Sequence, residues 1–130
     1  MITFGTFDLF HLGHLRILER ARSFGTQLVV GVSTDDLNMD KKGFYPVFKQ
    51  TDRLAIVASL RVVDAVFLEE SLEKKADYIK EYNARVLVMG DDWAGRFDDL
   101  ASLCEVVYLP RTTGISTTKI KLDVIEKTLR

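Results

Sequence analysis

At 130 residues, 47% hydrophobic and 28% charged, the chain is sized for one globular domain, residues 1–130, with a substantial buried core. Eighteen Lys and Arg against nineteen Asp and Glu leave a net charge of −1, so no global field recruits nucleic acid or an anionic membrane and any phosphate site must be local. A single cysteine, Cys104, excludes an intrachain disulfide, no apolar run approaches a membrane span, and Met1 leads into a strand pattern rather than a secretory leader, so a cytoplasmic protein is expected.

The first element is a short apolar strand, Ile2 to Phe4, which runs at once into Gly5-Thr6-Phe7-Asp8-Leu9-Phe10-His11-Leu12-Gly13-His14. A helix is predicted to open here, with apolar residues at Leu15, Leu18, Ala21 and Phe24 and Gly25 as its stop. His11 and His14, three apart, then share one face of its first turn. Gly13 between them carries no Cβ and lets a bulky group approach the backbone. Free N–H groups at a helix start beside two imidazoles suit an anion, foremost a phosphate. Zinc is one competing reading of the pair, but zinc takes about four ligands and the chain offers no third histidine beside Cys104. A capping or core role for one histidine is the other.

Gln27 to Val32 is a near-continuous apolar run, predicted as a strand buried on both faces and closed by Ser33-Thr34-Asp35-Asp36. Residues 36–50 keep no period and are predicted as a long functional loop carrying Lys41 and Lys42. Thr51 is the expected cap of a helix from Asp52 to Arg61, and a strand follows from Ala65 to Leu68. Ser71 is expected to cap a helix from Leu72 to Tyr82. Val86 to Met89 reads as another buried strand ending in Gly90-Asp91-Asp92-Trp93, and a short helix, Asp98 to Leu103, precedes a fifth strand from Glu105 to Leu109. Pro110 closes that strand, and Arg111-Thr112-Thr113-Gly114-Ile115-Ser116-Thr117-Thr118 opens a last helix through Leu129.

This alternation predicts an α/β fold, a Rossmann-like, doubly wound five-stranded parallel sheet with helices on both faces. Ligands of such sheets bind beyond the carboxyl ends of the strands, where strand order reverses. The polar turns GTFD, STDD, GDDW and PRTTGIST all fall at those ends. Ser116 or Thr117 alone would be an ordinary N-cap, whereas a run of hydroxyls with Arg111 before it and Lys119 inside it suits the outer phosphates of a nucleoside triphosphate. Neither GxxxxGK[ST] nor GxGxxG is present, which argues against a P-loop enzyme and against a nicotinamide or flavin dehydrogenase. What remains is phosphoryl or nucleotidyl transfer, in which a protein mainly positions groups and neutralises charge. Asp91 and Asp92 suit Mg²⁺, the hydroxyls of a sugar or polyol, or a helix N-terminus, and Trp93 suits stacking on a base or packing as a lid.

GTFDLFHLGH resembles the TFD…HxGH element of the small nucleotidyltransferases, and RTTGISTT resembles their RTxGISTT element. Together with GDDWAGRFDDL and CEVVYLPRT, the chain from Ile2 to about Lys121 is similar to the glycerol-3-phosphate cytidylyltransferase family. The resemblance implies CTP and sn-glycerol 3-phosphate as substrates, Mg²⁺ as the cofactor carried with the CTP phosphates, and CDP-glycerol and pyrophosphate as products, for teichoic acid or capsule precursors. It implies catalysis by His11, His14, Arg111, Ser116 and Thr117. Thr6, Phe7 and Gly13 line the nucleotide on this reading, with Arg61 of RVVDAV and the run Thr112, Thr113, Gly114, Ile115 and Thr118. Lys41, Lys42, Lys75, Asp8 and Asp91 fall to the acceptor. Between Asp35 and Arg53 the chain departs from the family's spacing. Family likeness implies a homodimer. Relatives with HxGH also make ADP-sugars, coenzyme A precursors and flavin nucleotides, so ATP and another polyol or sugar phosphate stay open, as does a nucleotide-binding sensor, which has no use for two imidazoles at the α-phosphate.

Overall fold

The computed structural model describes residues 1–111 and 115–129. Strands β1 (Ile2–Gly5), β2 (Val29–Ser33), β3 (Ala65–Glu69), β4 (Val86–Gly90) and β5 (Glu105–Leu109) form one sheet in the order β3-β2-β1-β4-β5, parallel at every pairing. The chain winds outward from β1 to one edge and then from β4 to the other, so the switch point lies between β1 and β4. There Ile2 stands opposite Leu87, and the Thr3 hydroxyl donates to the Val88 carbonyl.

Alternate residues of each strand feed two cores, as parallel strands covered on both faces require. On one face Val30, Val32 and Val88 pack with Leu18 and Ala21 of helix α1 (Leu12–Arg22) and Val57 of α3 (Gln50–Ala58). On the other, Ile2, Phe4, Leu87 and Met89 pack with Ile79 of α4 (Lys75–Glu81) and with Trp93, Phe97 and Leu100 from the segment between β4 and β5. The doubly wound expectation holds.

Several boundaries differ. Residues 36–50, expected as loop, contain helix α2 (Asp35–Lys42). Its hydroxyl cap is Thr34, which accepts from the Leu37 N–H at 3.1 Å, and Gly43 closes it at φ +82°, a left-handed conformation open to glycine. Only Leu37 and Met39 among its eight residues are strongly apolar, so hydrophobic period is silent there. Acids in the first turn and Lys41 and Lys42 in the last carry the signal instead, through the helix dipole. Helix α3 starts at Gln50 without a side-chain cap, so Thr51 lies inside it and not at its cap. It ends at Ala58, short of Arg61. Helix α1 stops at Arg22 with Ser23 as its C-cap, two residues before Gly25. The predicted Leu72 to Tyr82 helix divides into a 3-10 turn, Leu72–Lys74, capped by Ser71 as expected, and α4. The short segment after β4 is likewise 3-10, Asp98–Ser102. The last helix, α5, spans Thr117–Leu129.

Candidate active site

A cleft of about 350 Å³ opens at the carboxyl edge of the sheet over the switch point. It is walled by the β1–α1 turn on one side, the start of α5 on another, and side chains of α2 and α4 on a third.

His11 is the N-cap of α1 rather than a residue of its first turn, and His14 is the third helical residue. The Gly13 N–H donates to His11 Nδ1 at 3.0 Å, and the His11 N–H donates to His14 Nδ1 at 3.2 Å, a capping box made of two imidazoles. The rings stack at 3.8 Å between centroids. A neutral imidazole whose Nδ1 accepts a hydrogen bond carries its proton on Nε2, so the backbone fixes both tautomers and leaves two Nε2–H donors for a ligand. Burial, and then the neighbouring His11, push the His14 pKa down to about 3. Burial also lowers that of His11. Phe7 and Phe10 supply part of this desolvation, with ring centroids 5.5 and 5.3 Å from His14. The space left by the missing Cβ of Gly13 is taken by His11 itself and by Ile115: an added Cβ would lie 2.8 Å from His11 Cε1 and 3.2 Å from Ile115 Cγ2. Glycine here lets the α5 start close against the imidazoles.

Phe7 and Leu9 hold φ of +55° and +48°, a conformation costly for residues with a Cβ. The turn is held by Asp8, whose carboxylate accepts from the N–H groups of Val47 at 2.8 Å and Phe48 at 2.9 Å and from Leu9 at 3.1 Å. Lys121 Nζ lies 3.9 Å away. Asp8 therefore clamps the segment after α2 onto the β1–α1 turn. The Thr117 hydroxyl donates to the Asp8 carbonyl at 2.9 Å, docking α5 onto the same turn, and Ser116 Oγ caps α5 by accepting from the Lys119 N–H at 3.0 Å. Thr6 donates to Asn38 Oδ1 at 2.7 Å, with Lys42 Nζ 3.5 Å from its hydroxyl. Lys41 Nζ donates to Ser33 Oγ at 3.1 Å, and burial pushes its pKa down to about 8 despite the nearby Glu69 carboxylate.

The structure thus gathers Thr6, Phe7, Asp8, His11, Gly13, His14, Lys41, Lys42, Lys75, Arg111, Ile115, Ser116, Thr117 and Thr118 around one cleft. Thr112, Thr113 and Gly114 lie outside the described residues. Two expected residues are elsewhere. Arg61 is exposed in the turn before β3, at the amino edge of the sheet, because α3 ends before it. Its RVVDAV partner Asp64 accepts from the Leu28 N–H there at 2.7 Å. Asp91 is exposed and does not line the cleft, whereas its neighbour Asp92 does and binds Arg111 through both Nε and Nη2.

Residues missed by pattern reading complete the site. Lys121 stands four after Thr117 on α5, the spacing that puts it on the same helix face. Glu69 and Asn38 also line the cleft. Arg53 lies beneath it, fully buried, donating to the carbonyls of Phe48, Thr6 and Ser33 and to Asp35.

Arg111 is 63% exposed at the cleft mouth and is aimed by Asp92. If its guanidinium forks onto a phosphate, as the sequence leads one to expect, Arg111→Ala should weaken nucleoside triphosphate binding about 10-fold or more. Calorimetric titration with CTP reads this directly, and unchanged affinity would remove Arg111 from the nucleotide site.

No helix among the described residues is long and apolar enough to cross a membrane. The sequence matches the model of the cytidylyltransferase-like family over residues 2–123. It is 51% identical over 125 residues to the glycerol-3-phosphate cytidylyltransferase of Bacillus subtilis (strain 168), covering 95% of each chain. It is 46% identical over 129 residues to the protein of the same name from Staphylococcus aureus (strain NCTC 8325 / PS 47), covering 98% of this chain and 96% of that one. The lipopolysaccharide core biosynthesis protein of Thermoplasma volcanium GSS1 shares the fold, with a TM-score of 0.72 at 24% identity over 85% of this chain and 95% of that one. With the imidazole pair and the α5 start meeting at the switch point of such a sheet, and with similarity running nearly end to end, the chain belongs to the cytidylyltransferase-like family.

Proposed function

We infer that the protein is a glycerol-3-phosphate cytidylyltransferase, making CDP-glycerol and pyrophosphate from CTP and sn-glycerol 3-phosphate. The observation that carries the chemistry is the pair of tautomer-locked imidazoles set against the start of α5. A phosphate oxygen of the acceptor attacks the α-phosphorus of CTP in line, forming a new P–O–P linkage, while the bond from the α-phosphorus to the bridging oxygen breaks and pyrophosphate leaves with the electron pair. The Nε2–H groups of His11 and His14 donate to oxygens on which charge grows. The α5 start, Arg111 and Lys121 hold the outer phosphates, and Lys41 and Lys75 take the acceptor's phosphate.

Mg²⁺ is part of this proposal. Among the described residues no three His, Cys, Asp or Glu side chains converge, but Mg²⁺ is commonly bound by one or two carboxylates plus substrate phosphates. Asp92, half exposed at the mouth of the cleft, fits that role, and the ion when bound neutralises triphosphate charge. We further propose a homodimer, on family likeness alone, working in the cytoplasm on precursors of wall teichoic acid or capsule.

Purified protein with Mg²⁺ is expected to release pyrophosphate with the highest kcat/KM from CTP and glycerol 3-phosphate, tested against ATP, UTP and GTP and a panel of polyol and sugar phosphates. A preference for ATP would replace the base assignment. Tight nucleotide binding without pyrophosphate from any pair would favour a sensor, whose site has no need of fixed imidazole donors.

A further inference from the structure

The cleft extends past the switch point to the carboxyl end of edge strand β3. There Glu69 and Lys75 are 1% and 3% exposed and yet form part of its wall. Glu69 Oε2 is ion-paired with Lys75 Nζ, and the ammonium is bracketed by the rings of Phe4 and Phe97, 4.4 and 5.1 Å from their centroids. A buried ion pair is commonly no more stabilising than apolar residues of the same volume, so stability alone does not account for one at the floor of a cleft.

The charges of this corner are unequal. Lys41, on Ser33 Oγ, faces Glu69 from the α2 side, with Lys42, Lys75 and Arg53 near enough to influence it. Of the other carboxylates lining the cleft, Asp8 is taken by the backbone of Val47 and Phe48 and Asp92 by Arg111. Glu69, paired through Oε2 with Lys75 and faced by Lys41, is the cleft carboxylate at the β3 end, with Leu72 and Met89 as apolar wall. A carboxylate repels phosphate oxygens and accepts hydrogen bonds from hydroxyls. A lysine does the opposite. The corner matches a phosphate monoester whose carbon chain bears hydroxyl groups.

We propose that Glu69 is the specificity-determining residue for the acceptor, its carboxylate accepting a hydrogen bond from a chain hydroxyl while Lys41 and Lys75 hold the phosphate, so that a phosphorylated polyol is selected over a plain alkyl phosphate. The proposal rests on the transfer reaction inferred above. The test compares glycerol 3-phosphate with propyl phosphate, which has the same carbon chain without hydroxyls, as acceptors with CTP and Mg²⁺. The wild-type protein is expected to favour glycerol 3-phosphate in kcat/KM by about 10- to 100-fold, the scale of a hydroxyl bonded to a buried charge. Glu69→Gln keeps an acceptor oxygen but loses the charge, and should narrow that ratio about 3- to 10-fold through the KM for glycerol 3-phosphate. A general loss of structure would slow both acceptors alike and leave the ratio where it was, and that result overturns the proposal. Should the variant not fold, the wild-type comparison still decides: equal kcat/KM for the two acceptors overturns the role of Glu69 while leaving the transfer reaction intact. No pyrophosphate from the wild type with either acceptor overturns the reaction and this proposal together.

Discussion

His14→Ala should lower kcat for pyrophosphate release by roughly 10²–10³-fold, the effect of removing one preorganised donor to a developing oxyanion, with a much smaller change in the affinity for CTP. The expectation follows from how the ring is held. Its Nδ1 is occupied by the His11 N–H, and its pKa of about 3 keeps it neutral at physiological pH, so it acts as an Nε2–H donor and not as an imidazolium. The acid limb of the rate profile should therefore show no loss from His14 protonation between pH 8 and 5. Stability gives an independent readout. The unfolded chain takes a proton on His14 near pH 6.5 while the folded chain does not until about 3, so this residue makes stability fall as pH drops through that window, with a slope approaching about 1.4 kcal/mol per pH unit. Above pH 6.5 both states are neutral there and the contribution is flat. The alanine variant should lose the slope as well as the turnover, measured by urea denaturation from pH 7 to 4. Near-normal kcat would make His14 a helix cap and nothing more.

Sheet, helices and the location of the cleft were legible because they depend on local pattern: apolar runs for strands covered on both faces, helical period for α1 and α3, and polar turns at strand ends. The imidazole pair was legible as a shared face, but not as a capping box, since spacing alone does not say which nitrogen meets which N–H. Helix α2 was hidden because its stability comes from Thr34, Gly43 and end charges rather than from an apolar stripe. Asp8 reads as an acceptor-site residue in the sequence and does line the cleft, but its hold on the N–H groups of Val47 and Phe48 was not legible, because those partners are some forty residues away. Arg61 was assigned by motif, and a motif is blind to which edge of the sheet its turn faces. Glu69 and Arg53 left no local signal. A charged residue in a strand or helix pattern is ordinarily solvated, and burial of either depends on long-range contacts.

Arg53→Ala is expected to destabilise the fold by about 3–5 kcal/mol, the cost of breaking a buried charged network by removing one partner. The side chain is wholly buried, and its guanidinium serves four separate segments: Phe48 at the end of the Asp8 clamp, Thr6 in the β1–α1 turn, Ser33 at the end of β2, and Asp35 in the first turn of α2. Asp35 is tied in turn to Gln50 at the start of α3 by two hydrogen bonds of 2.8 and 3.3 Å. Truncation would strand three carbonyl acceptors and a carboxylate that cannot all find water, and each unsatisfied group adds its own desolvation cost. For a chain of this size the loss corresponds to a fall in Tm of roughly 10–20 °C. Arg53→Lys should recover little, because a single ammonium cannot span the directions that a planar fork serves at once. Since the same network sets Thr6 and Ser33 beside the lysines, the variant should also turn over poorly at temperatures where it is still folded. Scanning calorimetry of the three proteins is the check: a Tm within about 3 °C of wild type for Arg53→Ala would mean that the strand ends and the clamp hold together without it.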